Sequence, residues 1–206
     1  MEFYQGDTVS KSFQFLDPDG ENIRFTSGIN EPTVGNTVTD GTATATLVGI
    51  LLLDGSWTNG DAKGKLYLAD KSEEDFSSGT ISVQGGDDIG TISGNSSEYL
   101  NITDYNILFT GKSDMDMYDA NAEFNCSNFT YPNYFNQITI DTATTGEITL
   151  ELTYKDDKGG TQDKVGSYSY DFLVYYQNEN DEIADRKTLN QATITCKQDV
   201  TRESGL

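Results

Sequence analysis

Residues 134–157 read YFNQITIDTATTGEITLELTYKDD and predict two β-strands joined by a tight turn. In the second half of this stretch Ile148, Leu150 and Leu152 alternate with polar residues, which is the period of a strand with one buried face. The Thr-Thr-Gly sequence between the two halves supplies turn-forming residues. The stretch therefore predicts an antiparallel pair of strands and an all-β fold.

Comparable strands are predicted on both sides of this pair. Period-2 or aromatic-rich runs occur at 105–113 (YNILFTGKS), 166–177 (GSYSYDFLVYYQ) and 188–200 (TLNQATITCKQDV). Near the N-terminus, 8–16 (TVSKSFQFL) alternates in the same way, and the following Asp-Pro-Asp-Gly turn predicts a hairpin between 8–16 and 22–26. Strands of this number and length are typical of an antiparallel two-sheet sandwich.

The segment 27–97 differs from the rest of the chain in composition. It holds more than half of the 20 glycines, which separate short apolar runs at 42–53, 64–70, 79–85 and 89–94. Such a pattern predicts a small curled sheet or a stack of hairpins, and Gly49 within the longest run predicts a bulge or bend. We therefore predict a β-sandwich formed by 1–26 and 98–206, with 27–97 as an inserted small β subdomain.

The charge and the absence of histidine exclude several functions. The 206 residues include 34 acidic and 13 basic ones, a formal net charge of −21, and no histidine. Ser-His-Asp and Cys-His catalysis and imidazole-bound zinc or haem are therefore excluded. The negative charge opposes binding to nucleic acid and to anionic membranes. The longest apolar run, 47–53, is far shorter than the roughly 20 residues that cross a bilayer, and the N-terminus has no signal-peptide pattern.

The cysteines and the acidic clusters each allow two interpretations. Cys126 and Cys196 are either two free thiols or one inter-strand disulfide. Acidic clusters at 17–22, 87–88 and 114–119 are either solvated turns and loops or Ca²⁺ ligands, and we predict no cofactor, with Ca²⁺ as the alternative. Paired carboxylates would also suit a histidine-free hydrolase, but among 34 acidic residues some pair lies close by chance, so we predict no enzyme.

Aromatic residues supply the candidate binding positions. Protein interfaces favour Tyr and Phe, so the segment 124–135 (FNCSNFTYPNYF) and the strand 168–176 are candidate docking regions; the alternative is that these rings form the core. The interface candidates are Phe124, Phe129, Tyr131, Tyr134, Phe135, Tyr168, Tyr170, Tyr175 and Tyr176. Trp57, the only tryptophan, is either a core anchor of the inserted subdomain or an exposed platform for a ligand.

Several short motifs, taken in order, resemble the N-terminal immunoglobulin-like domain of siphophage upper-baseplate proteins. They are QGDT at 5–8, DPDG at 17–20, NITDYNILFT at 101–110, ITID at 138–141, EITLEL at 147–152, GSYSYDFLV at 166–174 and a VTR ending at 200–202. The inserted stretch contains GTATA, GSWTNGDA and GKLYL at 41–45, 55–62 and 64–68, which resemble modules of phage structural proteins.

This resemblance implies an immunoglobulin-like antiparallel sandwich and a function in assembly. The expected protein is a non-enzymatic component of a tailed-phage virion, in the tail, baseplate, neck or fibre-attachment region, assembled in the host cytoplasm. Its expected partners are other virion structural proteins and further copies of itself in a symmetric array. The alternatives are a capsid decoration protein and a cell-surface or carbohydrate-binding β module.

Overall fold

The computed structural model describes residues 2–4, 7–77, 79–92, 96–113, 122–130, 135–153 and 164–197. These residues form fifteen strands: β1 (Glu2–Tyr4), β2 (Val9–Gln14), β3 (Asn22–Gly28), β4 (Thr37–Thr39), β5 (Thr44–Asp54), β6 (Ala62–Ala69), β7 (Gly79–Val83), β8 (Asp88–Ile92), β9 (Tyr105–Lys112), β10 (Phe124–Ser127), β11 (Phe135–Asn136), β12 (Ile138–Thr142), β13 (Glu147–Leu152), β14 (Gly166–Gln177) and β15 (Ile183–Lys197). The all-β prediction is confirmed. The described part of the chain contains no helix long and apolar enough to cross a membrane.

The first of two compact units comprises Met1–Phe15, Ile102–Tyr175 and Arg186–Leu206. It contains a six-stranded sheet in the order β1-β15-β14-β9-β10-β11 and a three-stranded sheet in the order β12-β13-β2. The strands β12 and β13 pair antiparallel, as the opening sequence stretch predicts, and Gly146 closes the turn between them with a left-handed φ of 65°. The strand β1 runs parallel to β15.

The two sheets of this unit pack through a cluster of aromatic rings centred on Phe172 of β14. Its ring centroid lies 4.8 Å from that of Phe13, 5.2 Å from that of Phe15 and 5.1 Å from that of Phe109. Phe13 belongs to β2 in the smaller sheet, whereas Phe109 and Phe172 belong to the larger one. The rings therefore fill the space between two sheets, which makes this unit a β-sandwich.

The second unit, Leu16–Asn101 with Tyr176–Asp185, is built on a closed six-stranded barrel. The strand order around the barrel is β3-β6-β5-β4-β7-β8. Its core is made of small and branched side chains with two phenylalanines, Phe25 and Phe76. Gly64 permits the close approach of β6 to β5, because a Cβ atom there would lie 2.1 Å from the carbonyl oxygen of Leu51. The curled sheet predicted for the inserted segment thus closes on itself.

Two sequence expectations differ from this arrangement. The hairpin predicted between 8–16 and 22–26 is wrong, because β2 pairs with β13 whereas β3 pairs with β6 and β8. The side chains of Ile23 and Phe25 are buried in the barrel core, so β3 belongs to the barrel and not beside β2. The second unit accordingly begins at Leu16, earlier than the boundary expected after residue 26. The predicted bulge at Gly49 is confirmed, since the register of β5 against β6 shifts between Leu47 and Gly49.

Candidate docking surfaces

Three of the aromatic interface candidates pack within the sandwich unit, where Phe124 and Tyr168 are buried and Tyr170 is half-buried. Phe124 is fully buried, and its ring packs edge-on against Tyr168 at a centroid distance of 5.2 Å. Tyr170 packs against Phe109 at 5.5 Å. Burial raises the pKa of both tyrosines above the ordinary value, so both are neutral at physiological pH. These three rings contribute to packing within the unit.

Phe129 and Tyr175 form a separate pair. Val174 of β14 is buried in the sandwich, so the next side chain, Tyr175, projects from the opposite face of the sheet. Its ring meets Phe129 edge-on at 6.4 Å. Asn128 holds the loop that carries Phe129, since its side chain accepts a hydrogen bond from the Ile107 N–H at 2.7 Å and donates one to the Tyr105 carbonyl at 3.1 Å.

The remaining aromatic candidates are distributed as follows. Phe135 and Tyr176 are half-buried, and Tyr131 and Tyr134 lie outside the described residues. Trp57 is half-buried and packs against the barrel core, where its ring stacks on Phe25 at 4.9 Å with an angle of 15° between the planes. One face of the indole is therefore already covered by a protein ring.

A polar groove of about 320 Å³ lies on the sandwich unit. It is lined by residues of three adjacent strands, β9, β14 and β15: Thr110, Lys112, Ser169, Tyr170, Asp171, Ala192 and Thr193. The lining combines hydroxyl groups with one ammonium and one carboxylate. Such a set can bind a small polar ligand through hydrogen bonds. The sequence did not predict this groove, because its residues come from strands that are far apart along the chain.

The barrel unit exposes apolar side chains on β5. Bulges interrupt the pairing of β5 with β6 between Leu47 and Gly49 and again between Leu52 and Asp54. Next to these bulges Val48 is 49% exposed and Leu52 is 40% exposed. We call residues 48–52 the β5 segment. The strand β4 pairs with β5 only at residues 44–46 of β5. In the described structure the β5 segment is therefore paired with β6 on one side and lies beyond the end of its pairing with β4 on the other.

The structure decides between the two interpretations of the cysteines and places the acidic residues that it describes. Cys126 and Cys196 are both buried free thiols, so of the two alternatives the disulfide is wrong. Within the described ranges no group of three or more Cys, Asp and Glu is placed to hold a metal ion, and the acidic cluster 114–119 lies outside the described residues. Sequence reasoning missed Lys65, which is fully buried; the available signal was a lysine inside the apolar strand GKLYLA.

Comparisons with protein-family models, with curated proteins and with solved structures return no match to this chain. The functional proposal therefore rests on the two surfaces described above, the groove of the sandwich unit and the β5 segment. A contiguous exposed apolar surface would favour contact with another macromolecule, and the polar groove favours a small hydrophilic ligand.

Proposed function

We propose that this protein is a non-enzymatic structural component of a tailed-phage virion that acts by docking to other virion proteins, including further copies of itself. The tail, baseplate, neck and fibre-attachment regions all fit this proposal, and capsid decoration is the closest alternative. The order of the short motifs supports the phage context. We also propose that the strands of the sandwich unit have an immunoglobulin-like arrangement.

The observation that carries the docking function is the β5 segment. In a chain of net charge −21, the run from Leu47 to Leu53 has no charged residue, and two of its side chains, Val48 and Leu52, are 49% and 40% exposed. Docking would remove these side chains from water, which is favourable, whereas the acidic remainder of the surface keeps undocked subunits apart.

The size of the effect follows from the exposed fractions. Full burial of one such aliphatic side chain is worth about 1.5–3 kcal/mol, so covering the exposed half of Val48 and of Leu52 contributes about 2 kcal/mol in total. Replacing both by serine should therefore weaken self-association or partner binding by about 30-fold.

The experiment has two parts. Analytical ultracentrifugation of the full chain should show an oligomer of defined size. The double variant Val48→Ser, Leu52→Ser should form this oligomer only at a higher protein concentration than the wild type. Val165→Ser is the matched control, because Val165 is 51% exposed but lies in the sandwich unit. Immunogold labelling of purified virions should place the antigen on the particle. Virions without the antigen would contradict the phage proposal, and an unchanged association in the double variant would contradict the β5 segment as the docking site.

The polar groove supports a second candidate function, a carbohydrate-binding module. Hydroxyl groups of Thr110, Ser169 and Thr193 beside Lys112 and Asp171 are the donors and acceptors that sugar hydroxyls require. On a glycan array the full chain should then bind a defined group of sugars, and Ser169→Leu should abolish that binding. An array without any signal would remove this candidate.

A further inference from the structure

A lysine and two carboxyl groups meet in a buried cluster of the barrel unit, on the outer face of strand β6. The Nζ atom of Lys65 on β6 lies 3.1 Å from Oδ2 of Asp17 and 3.5 Å from Oδ2 of Asp185. The side chains of Lys65 and Asp17 are 0% exposed and that of Asp185 is 7% exposed. The three groups come from separate segments of the chain and are closed off from bulk water.

Comparison with Lys63, on the same face of β6, shows how unusual the burial of Lys65 is. Lys63 is two residues earlier, 45% exposed, and lies 3.4 Å from both Asp54 and Glu179. Such an exposed cation remains hydrated, and its ion pairs are worth little. Lys65 has lost its hydration, and a buried ion pair recovers that cost only partly.

The surroundings of Lys65 include a third carboxylate as well as Arg24, its register partner on β3. Besides Asp17 and Asp185, Asp19 lies close by, and its Oδ2 accepts a hydrogen bond from the Tyr67 hydroxyl at 3.3 Å. Burial and the charges of these three carboxylates raise the pKa of Tyr67 above its ordinary value. A reaction that turns an ammonium and a carboxylate into a neutral group would remove two buried charges at once.

We propose that Lys65 and Asp17 form an intramolecular amide cross-link and that Asp185 transfers the protons. The ammonium gives a proton to the Asp17 carboxylate, and the neutral amine then attacks Cγ of Asp17. Asp185 takes the second proton from nitrogen and passes it to the departing oxygen. One Nζ–Cγ bond forms, one Cγ–O bond breaks and one water molecule leaves, so the condensation needs no oxidant or co-reactant and Asp185 is regenerated.

The carboxyl group of Asp17 is already oriented for this attack. Its Oδ2 accepts a hydrogen bond from Nδ2 of Asn22 at 3.2 Å, and its Oδ1 accepts one from the backbone N–H of Asp19 at 3.1 Å. The donor on the oxygen that remains would stabilise the negative charge that this oxygen carries in the tetrahedral intermediate, and the other oxygen departs as water. Holding the amine against the carboxyl replaces a bimolecular encounter by a positioned contact, and the exclusion of water opposes hydrolysis of the product.

This inference is independent of the docking proposal and is tested on the isolated full chain. The denatured wild-type protein should have an intact mass lower than its sequence mass by one water molecule. Trypsin should not cleave after Lys65, and the digest should contain peptides 12–24 and 64–71 joined to each other. A wild-type protein of full sequence mass, or a digest with free peptides 12–24 and 66–71, would overturn the cross-link.

Matched variants separate the cross-link from other losses of water. Lys65→Arg keeps the positive charge without a reactive amine and should restore the full mass, whereas Lys63→Arg on the same strand face should keep the deficit. The Asp-Gly sequences at 19–20, 40–41 and 54–55 can lose water by themselves, so a deficit that persists in Lys65→Arg would also overturn the proposal. Asp185→Asn should have the full mass, and a deficit there would overturn the proton-transfer assignment. The wild-type digest decides the cross-link even if a variant fails to fold.

Discussion

The contact between Gly28 and Trp57 gives a quantitative test of the packing in the barrel unit. Gly28 ends β3 and is buried, and a Cβ atom at this position would lie 2.6 Å from Cζ3 of Trp57. It would also lie 2.9 Å from Cε2 of Phe25 and 2.9 Å from Cβ of Ala62. Gly28→Ala therefore forces a displacement of the Trp57–Phe25 stack.

The magnitudes follow from these contacts. Overpacking a core costs about 1–3 kcal/mol, and three contacts below normal distance place Gly28→Ala near the upper end of that range. Truncation of a fully buried Trp to Ala costs about 3–5 kcal/mol, so for the half-buried Trp57 we expect about 2–3 kcal/mol. Because the tightest clash is with Trp57 itself, its removal should relieve part of the Gly28→Ala cost. The double variant should then be less destabilised than the sum by about 1 kcal/mol.

Urea unfolding followed by circular dichroism measures all four species of this cycle, since Trp57 is the only tryptophan and its fluorescence is lost in two of them. Gly49→Ala is the control, because a Cβ atom on Gly49 would lie 3.3 Å from the Tyr67 ring, and its free energy of unfolding should stay within about 1 kcal/mol of the wild type. A neutral Gly28→Ala variant, or strictly additive effects, would refute the packing argument.

Three further predictions concern the sandwich core and the ionisable groups. Phe172→Ala removes the ring at the centre of the aromatic cluster and should lower the free energy of unfolding by about 3–5 kcal/mol in urea titrations; a loss below about 1 kcal/mol would contradict its central role. Burial raises the pKa of the Cys196 thiol from 9.0 to about 11, and burial raises the pKa of Tyr67 as well. The folded state then retains protons that the unfolded state has released, so stability should fall as the pH rises from about 9 to 11, and a urea midpoint that is constant over this range would disagree. Since Cys126 and Cys196 are buried, iodoacetamide should label neither in the native protein and both in urea, as read by intact mass; rapid native labelling would contradict their burial.

The strands could be predicted from the sequence because their signal is local. The alternation of Ile148, Leu150 and Leu152 shows which face of β13 is buried, and all three side chains are indeed in the core. Pairing partners are not local. The Asp-Pro-Asp-Gly turn favours a hairpin, but the barrel offers Ile23 and Phe25 a more completely buried position against β6 and β8.

The candidate sites were less predictable for the same reason. The parity of β14 separates Tyr175 from Tyr168 and Tyr170, yet the sequence does not show which face of the strand lies inside. The position of Lys65 is the clearest case. Its strand parity places it with Lys63 on the outer side of the barrel, whereas in the structure it is buried and contacts Asp17 and Asp185, which lie 48 and 120 residues away.

The two bulges in β5 explain how one apolar run can contribute both to the core and to the docking surface that we propose. A regular strand would alternate strictly, so the apolar run 47–53 would place about half of its side chains outward in one flat row. The bulges instead leave Leu47 and Leu53 buried and expose Val48 and Leu52 beside the points where the ladder is interrupted. Interrupted ladders with increased twist are poor templates for open-ended strand addition. The β5 segment is therefore suited to a partner with a complementary surface, as a closed assembly requires, and unsuited to aggregation through its edge.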